Sequence, residues 1–430
     1  MDQRVVVAGG RPLQGRLRVQ GAKNAVLPLL AACLLAREPC LLLDAPRLSD
    51  VATMSGILQH LGLDIHAVEV DGVPALQVDA RALSGYEVPG ALMRRLRSSI
   101  FLLGPLLARV GRARLTLPGG CDIGPRPVDF HLRALQALGA TVSVSEGVID
   151  AEAVRLRAAE IRLEQPSVGA TENVMMAATA AEGTTLIRNA AREPEVADLQ
   201  AFLNAMGARV SGAGGGVIAV RGPSVLAGAV HTVIPDRVEA GTWLIATAIA
   251  GGCLELANVV APHLDAVRAK IEEAGFPVRP SAGGLMLEAR RRPRPVRVHT
   301  QPYPGFPTDL QNPFMALLLR ATGTSTVTET IFDNRFRVVQ GFLRMGAQVS
   351  TYGRVAVING VPGLHGAEVE DAPDLRGAAA LVLAGLAAEG VTVVRQAACL
   401  DRGYQDFAER LQALGADVRV ETGEEQPARA

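Results

Sequence analysis

Cys121 is the residue in this chain whose surroundings invite chemistry most directly. It lies in the stretch Leu117 to His131, LPGGCDIGPRPVDFH, on a glycine-rich loop with Arg126 five residues on and two prolines stiffening the exit. A nearby cation and little apolar cover both favour a thiolate, so the thiol is a candidate reactive group. The loop alone fits a surface turn with an incidental cysteine equally well. A second set of polar residues stands at the head of a series of apolar segments: Lys23-Asn24, Arg97, Ser167 with Thr171, Asp236-Arg237, Asp309 (between FPT and QNP) and Asp374-Arg376. Guanidiniums and an ammonium around one carboxylate suit a phosphate-bearing small molecule. A carboxylate and a thiol on opposite sides of a substrate can serve as base and acid. Lys23 and Lys270 are the only lysines in a chain whose other cations are all arginine, so a compact ammonium at 23 departs from the local rule.

The elements that must carry these residues repeat. Segments ending in a glycine and followed by a β-rich stretch recur as HLGLDI, ALGATV, AMGARV, EAGFPV, RMGAQV and ALGADV, with glycines at 62, 139, 207, 275, 346 and 415 and spacings of 77, 68, 68, 71 and 69 residues. In the third copy Gly183 to Ala190 reads as a β-branched strand, AREPE as a loop, and Val196, Leu199, Phe202, Leu203 and Met206 as one face of a helix capped at Gly207. The second helix of each copy is apolar nearly all round (AVLPLLAACLLA, SIFLLGPLLARVG, ENVMMAATAAEG, GTWLIATAIAGG, NPFMALLLRATG, AAALVLAGLAAEG) and must be buried. The expected architecture is α/β: six strand-helix-strand-helix units in two lobes of three, with buried helices beneath sheets.

Helix N-termini leave free N–H groups and the positive end of the dipole, so buried helices that run parallel would gather an anion site. Asp309 and Asp374 also read as ordinary N-cap or first-turn residues. Arg97, Arg237 and Arg376 oppose the dipole and need an anionic partner, from the protein or a ligand. The strand-to-helix loops supply Arg192, Asp333-Asn334-Arg335 and Asp401-Arg402, whose default partners are the adjacent Glu193, Asp333 and Asp401. The cysteine loop is longer than its equivalents: 28 residues separate Gly111 from Gly139, against 24, 23 and 25 in the third, fifth and sixth copies. Surplus glycine-rich length is the usual form of a lid.

Composition removes several function classes. The 43 basic and 43 acidic residues cancel without blocks of like charge, which disfavours nucleic-acid or membrane-surface partners. The start MDQRVVVAGGR has no apolar core of a signal peptide, and the run Ala25 to Ala36 is too short to span a bilayer. Five cysteines without a CxxC pattern read as reduced thiols in a cytoplasm, and scattered histidines give no metal site. No Walker lysine motif or Rossmann glycine fingerprint occurs.

The segments GAKNAVLPLL, RSSIFLLGPL, LPGGCDIGPRPVDFHL, SVGATENVMMAAT, YPGFPTDLQ, ETIFDNRF, DLR and DRGY, in that order along essentially the whole chain, resemble the UDP-N-acetylglucosamine 1-carboxyvinyltransferases. The resemblance implies the two-lobed inside-out α/β barrel of the enolpyruvyl transferases, with residues 1–21 and 232–430 in a C-terminal lobe, 22–231 in an N-terminal lobe, and the active site in the cleft between them. It implies transfer of enolpyruvate from phosphoenolpyruvate to the 3′-hydroxyl of the nucleotide sugar at the entry to peptidoglycan synthesis, without cofactor or metal and in a monomer. By the same resemblance Cys121 is the proton donor, the site of a covalent adduct and the fosfomycin target. Asp309 is the base; Lys23, Asn24, Arg126, Asp374, Arg376 and Arg402 hold phosphoenolpyruvate. The nucleotide sugar falls to Arg97, Arg126, Pro127, Val128, Asp129, Phe130, Gln165, Pro166, Ser167, Val168, Asp309 and Ile331. Departures from the family pattern are Pro125, Gln165, Asn312-Pro313 and the apolar run Gly377 to Ala380, which bear on loop mobility and uracil-side affinity. The alternatives are a related transferase with another acceptor and a silent paralogue that binds a nucleotide sugar.

Overall fold

The glycines that set the repeat have the backbone that role demands. Gly62, Gly139, Gly207, Gly275, Gly346 and Gly415 all have φ between +81° and +105°, where a Cβ would be strained, and each follows an amphipathic helix. The computed structural model describes residues 2–119, 128–370, 372 and 374–423.

Each repeat holds one element pair more than expected. In the third copy the strand Glu160–Arg162 leads into the apolar helix Val168–Ala178, which crosses to a parallel strand Gly183–Arg188. The amphipathic helix Pro194–Ala205 follows, then a hairpin of Val210–Ser211 and Val217–Gly222 whose second strand inserts beside Gly183–Arg188. The repeat is therefore strand-helix-strand-helix-strand-strand. Six four-stranded sheets share this order among the described residues. The face read from the sequence is the buried one: Val196, Leu199, Phe202 and Leu203 are fully buried.

The described residues form two compact units, one from Gln20 to Ile234 (the N unit) and one from residues up to Val19 together with those from Pro235 onward (the C unit). Each has its own apolar core. Three apolar helices fill the N unit: Lys23–Ala32, Leu103–Val110 and Val168–Ala178. Arg237–Ala250, Gln311–Leu318 and Leu375–Leu386 fill the C unit and pack on one another.

The chain termini complete the C unit. Asp2–Ala8 lies between Val391–Val394 and Asp417–Gly423, antiparallel to both, in the place the inner hairpin strand occupies in other repeats. Leu13–Arg18 runs parallel to Gly252–Ala257. In the N unit Val230–Thr232 returns to pair in parallel with Cys40–Leu43, supplying the leading strand of the first repeat. No helix among the described residues is long and apolar enough to cross a membrane.

Candidate functional site

In the C unit the polar residues ahead of the apolar helices form one ionic network. Asp309 sits on the 3-10 turn Thr308–Leu310 that leads into Gln311–Leu318. Of the two places the sequence allowed, N-cap or first turn, it takes the first turn. Its Oδ1 accepts from Arg335 Nη2 at 2.6 Å and its Oδ2 from Arg376 Nη2 at 3.0 Å. Asp374 is a true N-cap, with Oδ1 accepting from the backbone N–H groups of Arg376 at 2.8 Å and Gly377 at 3.2 Å. Arg335 Nη1 stands 3.7 Å from the same oxygen, so this arginine spans both carboxylates. Its partners are therefore not the neighbouring Asp333, which pairs with Arg354.

Arg376 is buried over the ring of Tyr404, with its central carbon 5.1 Å from the ring centroid. Burial works against its charge, but Tyr404, Asp309 and Asp236 more than offset that, so the guanidinium holds its proton more tightly than usual. Burial pushes the Tyr404 hydroxyl up as well, despite Arg376, and that hydroxyl lies 3.0 Å from Thr242 Oγ1. Asp236 caps the helix carrying Thr242, accepting from Val238 N–H at 2.7 Å and Glu239 N–H at 3.0 Å. Arg376 Nη1 and Arg335 Nε have no hydrogen-bond partner among the described residues.

Ile331 is held through its backbone. Glu329, 1% exposed, accepts from Ile331 N–H at 2.7 Å, Phe332 N–H at 3.2 Å and Thr300 Oγ1 at 2.9 Å on Oε1, and from Thr308 Oγ1 at 2.9 Å on Oε2. One buried carboxylate thus fixes both Ile331 and the residue before Asp309. Arg402 ends the 3-10 turn Ala397–Arg402, and the next residue, Gly403, packs on Leu375 and Arg376. The Arg237 guanidinium lies over the Tyr303 ring, 5.5 Å from its centroid.

In the N unit Lys23 opens its helix and places Nζ 2.8 Å from Asp50 Oδ2, in the first turn of Ser49–His60. Asn24 follows on the same turn. Arg97 begins the 3-10 turn Arg97–Leu102, and its Nη1 donates to the Pro118 carbonyl at 3.3 Å, at the foot of the cysteine loop. Cys121, Pro125, Arg126 and Pro127 lie outside the described residues. Val128 precedes the helix Asp129–Ala137, which Asp129 and Phe130 begin. Arg133 on that helix donates to Asp129 Oδ2 at 2.6 Å and to Glu164 Oε1 at 2.5 Å, and lies over Phe130. Gln165 and Pro166 are exposed; Ser167 caps the Val168–Ala178 helix by accepting from Ala170 N–H at 3.3 Å.

This arrangement can bind anions and carry a proton on a carboxylate. Among the described residues no group of three His, Cys, Asp or Glu side chains is placed to hold a metal. The family model of EPSP synthase (3-phosphoshikimate 1-carboxyvinyltransferase) matches residues 7–411. A UDP-N-acetylglucosamine 1-carboxyvinyltransferase of Symbiobacterium thermophilum is 53% identical over 97% of this chain and 95% of its own. Another from Halalkalibacterium halodurans is 49% identical over 98% of this chain and 96% of its own. The chain belongs to the EPSP synthase family, among its UDP-N-acetylglucosamine 1-carboxyvinyltransferases. Its fold is that of the enolpyruvyl transferases: the crystal structure of the enolpyruvyl transferase NikO from Streptomyces tendae superposes with a TM-score of 0.87 at 26% identity, covering 98% of this chain and 100% of that one.

Four residues escaped the sequence reading, Asp50, Arg133, Asn173 and Glu329, and so did the true partners of Arg335. Glu329 had a usable signal, since a carboxylate at the end of the β-branched strand TSTVT needs several donors to be tolerated. Asn173 had a similar one, as an amide inside an apolar helix. Nothing in the sequence pairs Arg335 with Asp309 and Asp374, because the contacts are set by tertiary packing, across one repeat for Asp309 and between two for Asp374.

Proposed function

We propose that this chain transfers the enolpyruvyl group of phosphoenolpyruvate to the 3′-hydroxyl of UDP-N-acetylglucosamine with release of phosphate, the first committed step of peptidoglycan synthesis. The observation that carries the reading is identity of about half along essentially the full chain with two relatives of that name. The enzyme works as a cytoplasmic monomer.

In this reading Lys23, Asn24, Arg126, Asp374, Arg376 and Arg402 hold phosphoenolpyruvate. Arg97, Arg126 to Phe130, Gln165 to Val168, Asp309 and Ile331 take the nucleotide sugar. The sugar oxygen bonds to C2 of phosphoenolpyruvate and gives its proton to Asp309, while the Cys121 thiol gives a proton to C3, forming a tetrahedral intermediate. Loss of a proton from C3 and cleavage of the C2–O bond then release phosphate and leave the enol ether. Arg376 has a spare donor for the incoming anion, and turning toward it weakens its hold on Asp309, whose carboxylate accepts the proton. The tetrahedral intermediate must be shielded from water, which is the part for the long cysteine loop.

The test is phosphate release from wild type and Cys121→Ser with both substrates, each alone, and neither. Release should require both substrates, and Cys121→Ser should lose most of it. Fosfomycin should label Cys121; labelling at Cys33 or Cys253 with Cys121 untouched would overturn the acid assignment.

A further inference from the structure

We propose that Asn173 and His131 are positioning residues for the nucleotide-sugar half of the site, joined in a clamp that fixes the three segments presenting its ligands. The proposal rests on the functional reading above for the identity of the ligand. Asn173 is fully buried in the middle of the apolar helix Val168–Ala178, where an amide is tolerated only when its polar atoms are bonded. Its Oδ1 accepts from Gly104 N–H at 2.6 Å and its Nδ2 donates to the Ile100 carbonyl at 2.8 Å. Those two backbone groups are four residues apart, the two ends of what would be one helical hydrogen bond. They also straddle the junction where the 3-10 turn Arg97–Leu102 passes into the helix Leu103–Val110. Asn173 thus grips both sides of the junction by which the turn that Arg97 begins joins its helix. Approach is close enough that a Cβ at Gly104 would lie 2.3 Å from the Asn173 carbonyl oxygen.

The third arm is His131. Its Nδ1 lies 3.0 Å from Asn173 Nδ2, which has two protons and gives one to Ile100. Nδ1 is therefore the acceptor, and the neutral ring carries its proton on Nε2. Burial first and Arg97 second lower its pKa to about 4, against the opposing pull of Asp129, which keeps that acceptor available. The ring edge also packs on the start of the Val168 helix, where a Cβ at Gly169 would meet His131 Cε1 at 3.1 Å. One amide and one imidazole therefore tie Arg97, the Asp129-Phe130 turn and the Ser167-Val168 turn together. Among the described residues the clamp makes no hydrogen bond to Lys23, Asn24, Asp374, Arg376 or Arg402 of the phosphoenolpyruvate group, whose sixth member, Arg126, serves both substrates, so its loss should show selectively.

The experiment is steady-state phosphate release by the full chain for wild type, Asn173→Leu, His131→Leu and His131→Asn, whose amide oxygen can stand where Nδ1 does. Asn173→Leu should raise KM for UDP-N-acetylglucosamine about tenfold, with KM for phosphoenolpyruvate and kcat within about threefold of wild type. His131→Leu should shift the same constant less, and His131→Asn should restore it. An unchanged nucleotide-sugar KM in Asn173→Leu overturns the clamp. So does a parallel fall of both KM values' affinities and kcat, or His131→Asn behaving like His131→Leu. If Asn173→Leu does not fold, the two His131 variants decide. If wild type releases no phosphate from these substrates, the functional reading fails, and calorimetric titration of UDP-N-acetylglucosamine into the same proteins then decides the clamp.

Discussion

Two arginines, one in each unit, are built into nearly the same local constellation. Arg335 in the C unit bridges Asp309 and Asp374 and lies over Phe332, 5.2 Å from its centroid. Arg133 in the N unit bridges Asp129 and Glu164 and lies over Phe130, 5.3 Å from its centroid. The contacts of Arg133 are the shorter pair, at 2.6 and 2.5 Å against 2.6 and 3.7 Å. Burial differs far more than distance: the Arg335 side chain is 3% exposed and that of Arg133 is 52%. Water screens the second pair on every side and reaches the first only at Asp309, whose side chain is 28% exposed against 4% for Asp374, so the longer contacts should carry the larger consequence when broken.

Truncating the buried bridge is the strongest way to break this contrast. Arg335→Ala takes a counter-charge from the buried Asp374 and the half-buried Asp309, and should cost about 3 kcal/mol of C-unit stability. Trp243, the single tryptophan, is buried in the C unit, so its fluorescence during urea unfolding reports the change. A loss below about 1 kcal/mol would show that Asp374's capping bonds and Arg376 already neutralise the site. Turnover should fall with it, since Asp309 would swing toward Arg376.

The N unit buries polarity of another kind, and pH separates its two parts. His131 has its pKa lowered to about 4 against an ordinary 6.5, so between these values the unfolded chain binds more protons than the folded one. Its contribution is complete above pH 6.5, and about 3 kcal/mol is lost as pH falls toward 4. Glu172, fully buried with both oxygens lacking partners among the described residues, is pushed well up by burial and then by Glu195, Glu193 and Asp198. Its sign is opposite: the folded state holds the extra proton, so stability is greatest at acid pH and falls as pH rises through the carboxylate range and beyond. The two slopes oppose each other in wild type. His131→Asn should leave a stability that only declines with pH, and Glu172→Gln one that rises between pH 4 and 6.5 and then stays level. Hydrogen-exchange protection of residues 168–178 against urea at several pH values measures both. Identical profiles for the two variants would remove the assignment.

How much of this could be read in advance follows from which forces are local. The repeat was legible because a left-handed cap needs glycine at one register position, and Gly62 through Gly415 mark it. Buried helices were legible because an all-round apolar segment has no other stable place. Asp374 was legible as a cap; the ion pairs of Asp309 were not legible, because Arg335 and Arg376 take its oxygens from positions 26 and 67 residues away. The same holds for the place of Asp2–Ala8 between two strands from the far end of the chain. Asn173 and Glu329 were visible as polar residues in apolar settings, but their partners are backbone groups and distant side chains, His131 for the one and Thr300 and Thr308 for the other, which no local pattern pairs with them.

Arg133→Ala completes the comparison from its weak end. Arg133 is held in its charged form first by the hydrogen bond to Glu164, yet both carboxylates and the guanidinium are open to solvent. Water and counter-ions replace the lost arginine, and the freed side chains regain rotamer entropy. The urea midpoint of the N unit should therefore not move measurably, and raising salt should leave the difference from wild type at zero. What should change is the aim of Asp129 and of Glu164 beside Gln165, so KM for UDP-N-acetylglucosamine should rise by a few-fold and the rise should shrink with salt, as screened pairs do. A midpoint shift as large as that of Arg335→Ala would mean that distance, and not burial, ranks these two bridges.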